Sequence, residues 1–328
     1  MFENTSRLGR LAFYGGGIFS FCVALNAIQL VTSPLFKINK EKARNLNASL
    51  AGSVWLLIQD VFEKKHKGKI TYSGDDLPEK ENAIVIVNHR SWDDFILVNS
   101  VAFRKRTVKS LKYFAKDSLK FLPGFGWGMY LMGQIFVKRN WTSDKKKIDK
   151  AFNGIKKDKE PVWIITYLEG TRFTREKLIQ SHAFAKERNL PIFNNVLIPR
   201  VKGFNASVNA FRNSHVKYVY DFTLAYNHKE KGFGELPSIA TILSSDISNY
   251  QFHIHIRRIP IESIPENEEE VYQWAIKMFH DKDKLLEDLK QNWTKNIDVI
   301  SEEKMEWKGL LFELKKLFSR NKDVKYLE

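Results

Sequence analysis

An uncharged stretch at positions 11–36 constrains this chain more than any other feature of its sequence. As an α-helix rising ~1.5 Å per residue, these positions would extend over ~39 Å. The hydrocarbon core of a bilayer is ~30 Å thick, so the stretch is long enough to cross it. It is too long for the apolar region of a typical signal peptide, and no convincing small-residue cleavage site follows it. We therefore expect an amino-terminal helical anchor in a membrane.

A second uncharged stretch covers residues 45–59 and contains the apolar run SVWLLI. Because it is short for a membrane span, it is expected to form either a core helix or one arm of a shallow two-helix anchor. Cations are more frequent after the first stretch than before it, which favours a cytosolic main domain. On this basis we assign residues 1–65 to a membrane anchor that contains both stretches.

The composition narrows the class of protein. The chain has 328 residues, of which 43% are hydrophobic, and its formal net charge is +15. This hydrophobic content excludes a disordered chain. A basic surface favours anionic lipid, a phosphorylated cofactor or nucleic acid, but no zinc finger, RNA-recognition signature or basic zipper is visible, so nucleic acid is not an expected partner. Cys22 is the single cysteine, which excludes an intramolecular disulfide and suits a reducing compartment.

Behind the anchor, strand-like runs alternate with helical patterns. The run AIVIV at 83–87 and the run VWIITY at 162–167 predict buried strands. Residues 91–103 predict a helix with Ser91 at its N-cap, and residues 195–204 predict a short strand with a turn. The alternation predicts one α/β domain over residues 66–295, with a mixed sheet and flanking helices. Residues 296–328 predict a basic amphipathic tail.

The clearest catalytic candidate is His89, which ends the first predicted strand, with Asp94 five residues further on. A strand-to-helix turn can fold this carboxylate back onto Nδ1 of the imidazole, as in a hydrolase triad, so that Nε2 can remove a proton from a hydroxyl. The alternative is a histidine that caps a helix. Because no Gly-x-Ser-x-Gly elbow is present, the histidine would have to activate a hydroxyl of the substrate itself.

Three further segments place cations after apolar runs. Residues 169–172, Glu-Gly-Thr-Arg, follow VWIITY, where an arginine fork and free helix N–H groups suit a phosphate monoester. Lys138 and Arg139 follow a second run, and Arg200 a third. Each of these segments could complete a polyanion site, and the alternatives are an ordinary strand-to-helix turn or surface charge.

Together the four segments resemble the glycerophospholipid acyltransferase family, in particular its branch of 1-acyl-sn-glycerol-3-phosphate and lysocardiolipin acyltransferases. The similarity covers roughly residues 70–290. Its blocks are matched in order by Asn88, His89 and Asp94, then by Gly133, Phe136 and Arg139, then by Glu169, Gly170, Thr171 and Arg172, and last by Pro199 and Gly203.

The resemblance implies transfer of a fatty acyl group from acyl-CoA, a co-substrate, to the hydroxyl of a lysophospholipid, with no further cofactor and no metal. It implies His89 as base, Asp94 as its orienting partner, and a phosphate site formed by Glu169, Gly170, Thr171 and Arg172 with Arg139. We add Lys138 and Arg200 to this site because each follows an apolar run. Lysophosphatidate is the first expected acceptor. The alternatives are lysophosphatidylinositol, lysophosphatidylglycerol or lysocardiolipin, or a catalytically silent lipid-binding protein. Membrane lipids are the expected partners and the endoplasmic reticulum the expected location.

Overall fold

Eight strands form one sheet in the part of the chain that this computed structural model describes, namely residues 2–138, 140–295, 297–301 and 314, without the side chains of 2–5 and 141. The strand order is β1-β8-β6-β2-β5-β3-β4, and β7 pairs with β6. The strands are β1 (Lys69–Gly74), β2 (Ala83–Val87), β3 (Leu111–Lys116), β4 (Ile135–Val137), β5 (Trp163–Thr166), β6 (Tyr218–His228), β7 (Gly232–Phe233) and β8 (Tyr250–Pro260).

Helices precede, separate and follow these strands within the described residues. They are α1 (Phe2–Thr32), α2 (Leu35–Ile38), α3 (Lys40–Asp60), α4 (Asp94–Arg104), α5 (Gly126–Leu131), α6 (Trp141–Lys157), α7 (Arg175–Glu187), α8 (Lys202–Phe211), α9 (Ile239–Ser244) and α10 (Glu268–Gln291). The predicted α/β domain with a mixed sheet, flanking helices and a preceding apolar helix is confirmed.

Strand β2 lies in the middle of the sheet, and all five of its residues are fully buried. It runs parallel to β5 on one side and to β6 on the other. Because both faces of a parallel region are covered by helices, such strands are apolar throughout rather than alternating. Val85 and Val87 face the core that α3 and α4 cover, whereas Ile84 and Ile86 face the core under α6, α8 and α10.

Strands β2, β3, β4, β5 and β6 all point the same way, while β8 is antiparallel to β6 and β1 is parallel to β8. The carboxyl ends of β2, β5, β3 and β4 therefore meet at one edge of the sheet. In open α/β sheets this edge is where ligands bind.

The second uncharged stretch lies within α3, which is longer at both ends than residues 45–59. Leu50, Val54 and Leu56 of α3 are buried in the same core as Val85 of β2. This packing matches the core helix, the first of the two alternatives left open by the sequence.

Helix α1 is the one helix among the described residues that is long and apolar enough to cross a membrane. It ends at Thr32 rather than at position 36, because Pro34 has no N–H to donate and disfavours helical backbone before it. Its buried residues recur at helical spacing, and the side chains on the opposite face are exposed. The buried residues are Ile18, Cys22, Leu25 and Gln29, and the exposed ones include Phe13, Phe19, Val23 and Leu30.

Two local predictions are wrong. Helix α4 begins at Asp94 with Asp93 at its N-cap, not Ser91, because the Asp94 carboxylate turns back to accept the N–H groups of Arg90 and Ser91. Residues 195–201 form no strand, and α8 begins at Lys202. The predicted tail lies mostly outside the described residues.

The absence of a strand at 195–201 has a physical cause. The N–H of Asn195 bonds to Asp283, the N–H of Leu197 to Glu169 and the N–H of Ile198 to Ser181. Side-chain oxygens thus accept the backbone N–H groups that would otherwise donate to a neighbouring strand.

Candidate active site

The site begins at the carboxyl end of β2, where His89 leaves the sheet and Asp94 opens α4. The Nδ1 atom of His89 lies 2.7 Å from Oδ2 of Asp94. The Asp94 side chain is fully buried, while that of His89 is 18% exposed. The predicted pairing of this histidine with the fifth residue after it is present in the structure.

Four donors surround the Asp94 carboxylate. Besides His89, they are the N–H of Arg90 at 2.8 Å, the N–H of Ser91 at 3.0 Å and the hydroxyl of Tyr226 at 2.5 Å. Because the carboxylate oxygens accept from three other donors, an N–H at Nδ1 of His89 completes the set of hydrogen bonds. The lone pair of the imidazole is then on Nε2, which is the nitrogen a base would use.

Two tyrosines complete this arrangement, and no local sequence pattern marks either of them. Tyr226 comes from β6, and burial with the nearby Asp94 charge raises the pKa of its phenol well above the ordinary value, so it remains a donor. Tyr167 follows β5 and stacks on His89 with 4.2 Å between ring centroids. Both lie far from His89 in the sequence, and the strands next to β2 bring Tyr167 to His89 and Tyr226 to Asp94.

Glu169 lies behind His89 and does not face open space. It is 2% exposed, and its two oxygens accept the N–H of His89 at 2.8 Å and the N–H of Leu197 at 3.2 Å. Burial raises the pKa of Glu169 to about 8. The expectation that Glu169 contacts phosphate does not fit these contacts, because both oxygens already hold backbone groups; the residue positions His89 instead.

The rest of the Glu169–Arg172 turn presents cations. Gly170 has φ +67°, and a Cβ there would lie 3.3 Å from Cδ of Arg200. Glycine therefore lets the exposed Arg200 lie against the turn. Arg172 is also exposed, and its guanidinium lies over the ring of Trp92 at 5.0 Å. Thr171, between Gly170 and Arg172, is half-buried.

Arg90, directly after His89, is a further cation that sequence reasoning missed. Its guanidinium donates to the carbonyl of Asn195 at 3.3 Å and lies over the ring of Phe173 at 4.4 Å. Burial lowers the pKa of Arg90, and the charges of Glu169 and Asp94 act in the opposite direction. Three arginines thus surround the turns after β2 and β5.

The remaining predicted residues are not all close to His89. Lys138 is exposed at the end of β4, three strands from β2, which corresponds to ~14 Å at ~4.8 Å per strand. Gly133 and Phe136 lead into this position. Arg139 lies outside the described residues.

Asn88 has an architectural role. Its side-chain amide donates to the carbonyl of Leu224 at 3.0 Å, and its side-chain oxygen accepts the N–H of Leu224 at 2.7 Å. The side chain thus extends the pairing of β2 with β6 by one step and fixes where His89 leaves the sheet. Pro199 precedes Arg200 in the loop before α8, and Gly203 lies in α8, where an added Cβ would meet no atom within 4 Å.

A family model described as Acyltransferase matches residues 69–197, and a second, Acyltransferase C-terminus, matches residues 242–308. The protein named "Probable 1-acyl-sn-glycerol-3-phosphate acyltransferase 5" of Arabidopsis thaliana is 36% identical over 239 residues, covering 73% of this chain and 62% of the relative. The 1-acyl-sn-glycerol-3-phosphate acyltransferase gamma of Homo sapiens is 32% identical over 269 residues, covering 81% and 69%.

A solved structure is also similar. The crystal structure of the 1-acyl-sn-glycerophosphate acyltransferase PlsC from Thermotoga maritima superposes with a TM-score of 0.52 at 18% identity, covering 89% of this chain and all of that one. At this identity the likeness concerns the fold. The chain spans less than two thirds of the Arabidopsis relative and slightly more than two thirds of the human one.

Proposed function

Since the chain belongs to the acyltransferase family of the 1-acyl-sn-glycerol-3-phosphate acyltransferases, we propose that it transfers a fatty acyl group from acyl-CoA to the free hydroxyl of lysophosphatidate, which yields phosphatidate. The names of the relatives support lysophosphatidate as the acceptor. The observation that carries the proposal is the pair of His89 and Asp94, with Nδ1 of the imidazole 2.7 Å from a buried carboxylate oxygen.

In the proposed reaction, Nε2 of His89 removes the proton of the acceptor hydroxyl while the hydroxyl oxygen attacks the carbonyl carbon of the thioester. The tetrahedral intermediate collapses, the carbon–sulfur bond breaks, and the imidazolium returns the proton to the departing thiolate of CoA. Asp94 stabilises the imidazolium and holds the ring in one tautomer. An acyl thioester is already activated, so a covalent nucleophile on the enzyme is not required.

The arginines supply the proposed phosphate contacts. Arg172 and Arg200 are exposed beside the turn after β5, and Arg90 lies between His89 and that turn. A guanidinium can bind a phosphate with two parallel hydrogen bonds, which fixes the orientation of the acceptor as well as its affinity. We assign these arginines to the phosphate of lysophosphatidate or to the phosphates of CoA. Lys138 and Arg139 are assigned to whichever of these phosphate groups lies farther from His89.

We further propose that the protein works at the cytosolic face of the endoplasmic reticulum membrane. Helix α1 is long and apolar enough to anchor it there. The net charge of +15 would add attraction to anionic lipids, at ~1 kcal/mol per cation near the surface.

A panel of acceptors tests the proposed function. The purified full chain in detergent is given acyl-CoA with one lysolipid at a time, and released CoA thiol is measured. We expect the fastest release with lysophosphatidate. If release is faster with lysophosphatidylinositol, lysophosphatidylglycerol or lysocardiolipin, that lysolipid is the acceptor instead. No release with any lysolipid would contradict acyltransferase activity.

Arg172→Ala separates binding of the acceptor from chemistry in the same assay. We expect a raised KM for phosphate-bearing acceptors with a smaller change in kcat, since the guanidinium is assigned to binding. Lys284→Ala, which removes a cation from α10 outside the site, is the matched control. An unchanged KM in the Arg172 variant would contradict the phosphate role.

A further inference from the structure

Exposed apolar side chains cluster in the connection between β3 and β4. Phe121 is 76% exposed, Leu122 47%, Trp127 43% and Tyr130 58%; we call these four residues the aromatic patch. Single exposed apolar residues are ordinary, but several together on one short segment mark a contact surface. The rings of Trp127 and Tyr130 stack with 6.0 Å between centroids, so they form one surface.

We propose that the aromatic patch is a second lipid-contact element, which enters the interface of the same bilayer that holds α1. This inference rests on the proposed function only in that both need a membrane beside the active site. The partner is a lipid bilayer, as the side chains around the patch indicate.

The patch is fixed to α1 at Gly124. This glycine has φ +78°, and a Cβ there would lie 3.0 Å from the ring of Phe19 and 3.8 Å from Cβ of Cys22. Asn26 of α1 donates to the carbonyl of Gly124 at 2.7 Å. The close approach and the hydrogen bond mean that the patch and α1 keep one relative position.

Helix α1 offers an apolar face to solvent beside the patch. Its buried stripe packs on the domain, and the opposite face carries exposed residues such as Phe13, Val23 and Leu30. Arg10 donates to the carbonyl of Ser244 in α9, so the start of α1 is tied to the same domain as Asn26 further along. Lipid that covers the outer face of α1 therefore lies alongside the domain, at the level of the patch.

The charges near the patch suit a membrane interface. Lys120 lies 4.9 Å from the centroid of the Phe121 ring and pairs with Asp117 at 2.8 Å. Lys116 and Lys138 are exposed at the adjoining strand ends. Tryptophan and tyrosine beside lysine are typical of the headgroup level of a bilayer, where the rings are partly apolar and the ammonium groups meet anionic lipid.

The position of the patch gives it a role in substrate access. The segment starts at the carboxyl end of β3, at the same edge of the sheet as His89 at the end of β2. A bilayer held there lies next to the edge that carries the base, so a lysolipid need not leave the membrane fully to reach it.

A fluorescent label tests the contact directly. In a Cys22→Ala background, Trp127→Cys is labelled with an environment-sensitive fluorophore and the full chain is reconstituted into vesicles of phosphatidylcholine and phosphatidylglycerol. We expect a blue shift and quenching by a nitroxide carried on the lipid. Ile179→Cys, at an apolar position of α7 that is 62% exposed, is the control and should respond like a label in water.

Two outcomes would overturn the proposal. A label at 127 that stays unshifted and unquenched in vesicles would place the patch in water. A label that is shielded by a second copy of the chain, in detergent as in vesicles, would make the patch a self-association surface instead of a lipid contact.

An activity measurement separates this inference from the proposed function. We replace Phe121, Leu122, Trp127 and Tyr130 by serine, and as a control Ile179, Phe184 and Ile192, which are also exposed. We expect the rate of the patch variant on long-chain lysophosphatidate in vesicles to fall at least about tenfold, because the apolar area buried in lipid is lost. Its rate on short-chain lysophosphatidate dissolved as monomers should stay within about twofold of wild type, as no contact to the reacting groups changes.

Equal losses on both substrates, or no loss on vesicles, would contradict the inference. Absence of turnover by the wild-type chain on both substrates would contradict the proposed function alone, since the label still reports whether position 127 meets lipid.

Discussion

The carboxylate of Asp94 is the most constrained group of the site, and its four donors come from two different sources. Two backbone N–H groups and His89 belong to the same turn, whereas the Tyr226 hydroxyl comes from β6. The turn alone brings the carboxylate to the imidazole. The tyrosine adds a hydrogen bond to a charged group, which is worth ~1.5–3 kcal/mol.

The first prediction concerns this tyrosine. Tyr226→Phe removes the donor but keeps the ring, so Asp94 gains freedom to rotate away from His89. We expect kcat/KM to fall about tenfold, equal to ~1.4 kcal/mol, and the Tm in detergent to fall by a few degrees because a buried hydrogen bond is lost. Steady-state kinetics of CoA release and thermal unfolding give the two readouts.

Tyr72→Phe is the matched control, because Tyr72 is also a buried tyrosine whose hydroxyl bonds to Ser100 and not to the site. If the Tyr226 and Tyr72 variants lose the same fraction of kcat/KM, the hydrogen bond to Asp94 has no part in catalysis.

The second prediction concerns Asp93, the carboxylate beside Asp94. It is 5% exposed, and burial raises its pKa to about 6. A carboxyl group with a raised folded pKa stabilises the fold below its unfolded pKa of ~3.9, and this stability is lost as the pH rises through 6. At pH 7.5 Asp93 should therefore contribute ~3 kcal/mol less to the stability of the fold than it does at pH 4.

Asp93→Asn tests this dependence, since asparagine does not titrate. We expect the free energy of unfolding of the variant, relative to wild type, to rise between pH 4 and pH 6 and then to level off. Chemical denaturation at a series of pH values gives this difference. A difference that is the same at every pH would show that Asp93 does not titrate in this range.

Residue-scale features divide clearly between those the sequence could predict and those it could not. The pair of His89 and Asp94 was predictable because five residues and a strand-to-helix turn fix it locally. Tyr226 and Tyr167 depend on which strands become neighbours of β2, so no local pattern marks them. Glu169 was recognised as important, but its buried contacts to backbone N–H groups depend on the loop at 195–201.

At the scale of elements, the loop at 195–201 and the turn after β2 are held together by Glu169. Each of its oxygens accepts one backbone N–H, from His89 and from Leu197. The sequence predicted a strand at 195–204 because the residues are apolar, but pattern alone cannot reveal that side chains from other elements occupy its donors. The buried strands β2 and β5 were predictable, since continuous apolar runs are what a parallel sheet requires.

The third prediction follows from this link between elements. At pH 9, above the pKa of about 8 that burial gives Glu169, its carboxylate offers two acceptors. Glutamine offers one acceptor and one donor, so an N–H of His89 or Leu197 would face an amide N–H. We expect Glu169→Gln to lower the free energy of unfolding by ~1–3 kcal/mol and also to lower kcat, because His89 loses its position.

Glu287→Gln is the control for this substitution. Glu287 accepts from the side-chain amide of Asn195 in the same loop, and a glutamine oxygen can still accept there. We expect a stability close to wild type. A Glu169→Gln variant that retains wild-type stability and kcat would exclude the positioning role.

For the whole molecule, three features lie at or beside one edge of the mixed sheet: the pair of His89 and Asp94 after β2, the arginines around the turn after β5, and the aromatic patch fixed to α1. The composition and the apolar segment predicted a basic chain with an apolar amino-terminal helix, and the alternation of strand-like and helical runs predicted one α/β domain. The antiparallel part, in which β8 and β1 follow β6, could not be predicted, because strand order depends on long-range pairing. That α3 belongs to the core also became clear only from its packing.

In the proposed mechanism, Nε2 of His89, held by Asp94, takes the proton of the acceptor hydroxyl. The most direct test is kcat/KM for CoA release with lysophosphatidate in the His89→Ala variant. His280→Ala serves as the control, since this histidine is exposed on α10. We expect a loss of ~10²–10⁴ for His89→Ala, which should still unfold in one cooperative thermal transition, and a rate near wild type for His280→Ala. A His89→Ala variant that keeps more than about a tenth of the wild-type rate would contradict the account, because general-base catalysis contributes at least ~10².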